Sequence, residues 1–179
     1  MKTLRHLAVA LIAAGCLTAA HAQGLRPEIG KPLQQAGELI KAGNGRGALA
    51  KVREAEAVPN RTAAEQLTID RMKVAAAQRA GDNATAVQAL NAVFGKVSGA
   101  EQAQTAEQLA FAYSQLSDWA NARQWTDRAK QLGRDTPSLR QLEQYLLSQS
   151  GDYNAIARDA GAAVRSEEHT SELQSLTNL

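Results

Sequence analysis

The sequence predicts an all-α protein of about four helix hairpins, and three observations carry that expectation. Short turn signals recur along the 179 residues: Gly43-Asn44, Gly81-Asp82, Ser117-Asp118 and Gly151-Asp152, at spacings of 38, 36 and 34 residues. Between them run Ala- and Leu-rich stretches with apolar residues three and four apart, the period of a helix face. Aromatic strand formers are scarce, with two Trp, three Tyr and two Phe, and no stretch alternates like a strand.

The elements follow in order. In the turns, Gly tolerates the backbone that ends one helix, and Asn or Asp caps the start of the next. The first hairpin is expected over 31–42 and 45–57, closed by Pro59-Asn60. Thr62-Ala-Ala-Glu65 has the form of a capping box and opens the second, over 62–80 and 83–95. Ser98-Gly-Ala-Glu101 has the same form and opens the third, over 101–116 and 119–132. Thr136-Pro137 opens the fourth, over 136–150 and 152–164, with Pro at a first position where its missing N–H costs nothing.

Both ends are expected to lie outside the fold. Lys2 and Arg5 precede an apolar run from Leu7 to Leu17, and Ala20-His21-Ala22 places small residues before Gln23. This is the pattern of a secretory signal peptide over 1–22, too short to span a membrane as a helix. It predicts a periplasmic or secreted mature chain that does not insert in the membrane. Ala14-Gly15-Cys16 leaves an outer-membrane lipoprotein as the minor reading, since Ala13 stands where a lipidation box has a Leu-like residue. At the other end, Arg165-Ser-Glu-Glu-His-Thr-Ser-Glu-Leu-Gln-Ser175 resembles a translated sequencing adaptor, and the composition turns Ser-, Thr- and Glu-rich there. Residues 165–179 are therefore expected to be non-native, and 23–164 to be a truncated array.

Trimming removes much chemistry. His6, His21, His169 and Cys16 all fall in the two ends, so 23–164 holds no His or Cys. Thiolate nucleophiles, His bases and Cys/His metal sites are excluded from that segment, and no metal or other cofactor is expected. With 20 Lys and Arg against 18 Asp and Glu, the chain has no excess of charge that points to nucleic acid. Gly43-Asn-Gly-Arg-Gly47 mimics a phosphate loop, but no strand precedes it and no Gly-Lys-Ser/Thr follows, so a hairpin turn explains it. Carboxylate-only glycan cleavage survives as a rival, with Glu65, Glu101, Glu107 and Glu143 available and a catalytic domain beyond Val164 required.

In each hairpin the second helix sets small or apolar residues four and then three apart: Ala48, Val52, Ala55; Ala86, Leu90, Val93; Ala122, Thr126, Ala129; and Ile156, Ala160, Ala163. The third unit is fullest, with Leu109, Ala110, Tyr113 and Trp119 besides. These residues resemble the tetratricopeptide repeat, with Thr126 in place of an aromatic and Ile156 in place of an Ala. The whole also resembles repeat-containing secreted proteins of bacteria. The resemblance implies a right-handed solenoid that binds a protein or peptide on a concave face built from first helices, without catalysis. Carried onto this chain, its groove positions are Arg71, Gln78 and Arg79 from the second unit and Glu107, Phe111 and Gln115 from the third.

Overall fold

The computed structural model describes residues 24–149. The leader, the turn at Gly151-Asp152, the helix expected over 152–164 and the adaptor-like tail lie outside those residues. Seven helices occupy most of the described chain, with no strand among them: α1 (Pro27–Lys41), α2 (Gly45–Glu56), α3 (Ala63–Ala80), α4 (Asn83–Phe94), α5 (Gly99–Gln115), α6 (Trp119–Gln131) and α7 (Pro137–Gln149).

The three hairpin turns inside this range are built alike. Gly43, Gly81 and Ser117 all take the left-handed conformation, with φ of 83°, 69° and 57°. The next residue in each case, Asn44, Asp82 or Asp118, accepts from the backbone N–H three positions on, at 2.8, 3.0 and 3.2 Å. Helix ends that would otherwise leave unpaired amides are thus closed by the turn itself. In the Gly-rich turn, Gly45 has a different reason to be Gly: a Cβ there would stand 2.3 Å from the Ala80 backbone nitrogen. The start of α2 packs directly on the end of α3, and that approach explains the glycine without a phosphate.

Two helix starts differ from expectation. α1 begins at Pro27 rather than near residue 31, because Pro27 occupies the first helical turn and Arg26 is anchored from afar. The Arg26 guanidinium grips both Glu65 carboxylate oxygens at 2.7 and 3.0 Å and also donates to the Pro59 and Asn60 carbonyls. Pro32 then falls in the second turn, where its missing N–H deprives only a carbonyl near the exposed end of the helix. The second difference is at α5. The expected Ser98–Glu101 capping box does not form, since the Ser98 side chain makes no cap bond and Glu101 turns to Arg71 instead. Thr62 and Glu65, by contrast, form both reciprocal bonds of the box, at 3.1 and 2.9 Å.

Each helix packs on its sequence neighbours, and α1 also lies against α3. The apolar core runs along the chain in three clusters. The first joins α1, α2 and α3 around Ile29, Leu33, Val52 and Ile69; the second joins α3, α4 and α5 around Val74, Leu90, Val93 and Leu109; the third joins α5, α6 and α7 around Ala110, Ala122, Leu139 and Leu142. All nine trio residues of α2, α4 and α6 are buried. Ala at these positions lets helices approach closely, and the buried Thr126 hydroxyl is satisfied by the Ala122 carbonyl at 2.9 Å. Aromatics enter only the later clusters, where Phe94 meets Trp125 edge-on with ring centres 4.8 Å apart.

Ion pairs fix the joints between hairpins. Asp70 on α3 takes Lys96 from the loop after α4, and Glu107 on α5 takes Arg134 from the loop after α6. In both hairpins a buried carboxylate on the first helix holds the segment that leaves the second. At each, a cation and a neutral donor, Gln66 for Asp70 and Thr136 for Glu107, stand in for the water the carboxylate loses on burial.

Candidate functional site

Between α3 and α5 lies an open cavity of about 260 Å³. Arg71, Val74, Ala75 and Gln78 form one wall; Glu101, Gln104, Thr105 and Gln108 form the other. Both walls follow the same helical spacing of three, four and seven positions, which aims four side chains of each helix at one side. Leu90 and Val93, one turn apart on α4, lie underneath. The result is an apolar floor between amide-rich walls.

One ion pair crosses the cavity. Arg71 donates through Nε and Nη2 to the same Glu101 oxygen, Oε1, at 2.8 and 2.5 Å. Both side chains remain close to half exposed, at 47% and 46%. Gln78, Gln104 and Gln108 each present an amide N–H₂ and a carbonyl oxygen, so the walls can both donate and accept. The Thr105 hydroxyl is used internally, donating to the Glu101 carbonyl at 2.8 Å.

The residues expected at a groove are distributed over several environments. Arg71 and Gln78 share the α3 wall. Arg79 points to the α1–α2 turn, with Nη2 3.0 Å from where a Cβ on Gly43 would stand. Glu107 is buried, and its carboxylate takes Arg134 at 2.5 Å and the Thr136 hydroxyl. Phe111 packs partly buried against the third apolar cluster. Gln115 is exposed at the last position of α5. Sequence reasoning missed Gln104 and Gln108 and read Glu101 only as a cap or a carboxylate for the rival reading, although the spacing of the three on α5 repeats that of Arg71, Val74 and Gln78 on α3.

Every carboxylate considered for glycan cleavage is ion-paired: Glu65 with Arg26, Glu101 with Arg71, Glu107 with Arg134 and Glu143 with Lys130. The Arg26 guanidinium and then the Thr62 backbone N–H hold the Glu65 carboxyl down at about 2. A glycosidic general acid needs the opposite shift. Among the described residues no group of three or more His, Cys, Asp or Glu is placed to hold a metal ion, and no helix is long and apolar enough to cross a membrane.

Another cavity, of about 400 Å³, lies over Gln124, Trp125, Asp127, Arg128 and Gln131, but among the described residues α6 alone lines it. The α3–α5 cavity, by contrast, is walled from two helices with a floor from a third. No family model, curated protein or solved structure matches the chain.

Proposed function

We propose that this chain is a non-catalytic binding module of the bacterial cell envelope, a tetratricopeptide-like solenoid that holds a peptide segment of a protein partner between α3 and α5. The observation that carries this reading is the pairing of amide-rich walls with an apolar floor in one cavity. An extended peptide offers alternating N–H and C=O groups along its backbone, and Gln side chains satisfy both kinds while Leu90 and Val93 accept an apolar side chain. The stepwise succession of the three apolar clusters supports the solenoid arrangement, since each hairpin completes its core on the next. The signal-like leader supports export.

The reading is tested by selecting a random peptide display library on the purified chain and repeating the selection on Gln104→Leu/Gln108→Leu. The expected result is an enriched peptide class that the double variant no longer retains. Enrichment of nothing, or of peptides indifferent to the double variant, contradicts it.

A further inference from the structure

Glu65 and Glu101 occupy the same place in successive hairpins, the third position of α3 and of α5, yet the two are held very differently. Glu65 is buried, closes a capping box with Thr62, and offers both oxygens to the Arg26 fork. Glu101 closes no box, is 46% exposed, and engages Arg71 through one oxygen. The first copy is locked; the second is held only by its ion pair. That pair stands in the wall of the α3–α5 cavity, where Arg71 and Glu101 are the only charged side chains among the described residues and cancel one another.

Resting on the binding reading above, we propose that Glu101 is an intramolecular substitute for a ligand carboxylate, and that the site takes acidic peptide segments whose Asp or Glu displaces Glu101 from Arg71. The Arg71 side chain carries five N–H donors in a fork suited to two carboxylate oxygens, while Glu101 supplies one. A ligand carboxylate entering from the cavity side can accept from both arms of that fork. Exchange is inexpensive, because an ion pair this exposed contributes little net stability. Once Glu101 swings into solvent, the cavity carries a single positive charge among neutral amides. A basic segment would meet the reverse arrangement, with Arg71 left unpaired beside it.

The test uses two blocked, fluorescein-labelled peptides of otherwise identical sequence, one with a central Glu-Glu-Leu and its twin with Gln-Gln-Leu, titrated against the purified chain by anisotropy. Side-chain amide NMR signals of Gln78, Gln104 and Gln108 report whether the peptide enters the cavity. The acidic peptide is expected to bind more tightly than its twin. Glu101→Gln, which keeps size and shape, is expected to tighten the acidic peptide by about 2- to 5-fold, the value of the released ion pair. Arg71→Ala is expected to bring the acidic peptide down to its twin, with thermal midpoints confirming that both variants fold. If both peptides move the Gln signals but Glu101→Gln leaves the acidic one unchanged or weaker, Glu101 is no competitor and the inference falls while the binding site stands. Tighter binding of a Lys-Lys-Leu peptide has the same meaning. If no peptide of any charge moves those signals, the binding reading itself falls, and the inference with it.

Discussion

At the scale of single residues, backbone geometry explains more than side-chain identity does. Gly45 is fixed by the Ala80 backbone, 2.3 Å from the position of any added Cβ, and neither segment can move aside without shifting a helix. Gly45→Ala is therefore expected to cost about 1–3 kcal/mol or more in urea unfolding. A change below about 0.5 kcal/mol would show that the two helices part easily. Ser117 is the converse case, the one non-glycine at the three hairpin turns, held at φ 57°. Relief of the left-handed conformation outweighs the added freedom of an unfolded glycine, so Ser117→Gly is expected to stabilise by about 0.5–1 kcal/mol. Destabilisation in the same measurement would mean that the Ser117 side chain has a role beyond the turn. Sequence showed that each turn needs a helix-ending residue and a cap. It did not show why position 45 has to be Gly, because the constraining atoms belong to a helix that starts eighteen positions later.

At the scale of elements, capping separates helices that look alike in sequence. Thr62-Ala-Ala-Glu65 and Ser98-Gly-Ala-Glu101 share a pattern, but only the first closes. Thr62→Ala is expected to cost about 1 kcal/mol, and Ser98→Ala to change stability by less than about 0.5 kcal/mol. Equal losses in the two variants would contradict the difference between the helix starts. The distinction was not legible because a third residue decides it: Arg26 locks Glu65 from one side, and Arg71 draws Glu101 away. The same kind of long-range pairing took Glu107 into the interior, where Arg134 and Thr136 lie far along the chain from it. Arg71 and Gln78 were legible as one face because their spacing is local to α3. Glu65 also sets an acid response. Its carboxyl titrates near 4.5 when unfolded and at about 2 when folded, so its stabilisation is complete above about pH 4.5. That contribution is lost as the pH falls towards 2. Glu65→Gln is expected to flatten the stability profile between those pH values while lowering stability at neutral pH, and an unchanged slope would show that the Arg26 fork does not persist in solution.

At the scale of the whole molecule, the three apolar clusters are linked in series, with α3 and α5 each shared between two of them. The period of the turn signals foretold this succession, because a hairpin with one apolar face has to complete its core on a neighbour. What the period could not foretell is that α1 closes on α3 whereas a cavity opens between α3 and α5. The facing walls carry Arg71 and Gln78 on α3 and Glu101, Gln104 and Gln108 on α5. A serial core also makes stability local: damage at one end should propagate no further than the next hairpin. Native-state hydrogen exchange on Ile29→Ala tests this most directly, since Ile29 is fully buried in the first cluster and its truncation costs about 2–5 kcal/mol. The stacked-hairpin account expects amides of α1 and α2 to exchange far faster while those of α5 and α6 keep their wild-type protection. A uniform acceleration through all the helices would instead reveal one closed cooperative bundle, and would contradict the account.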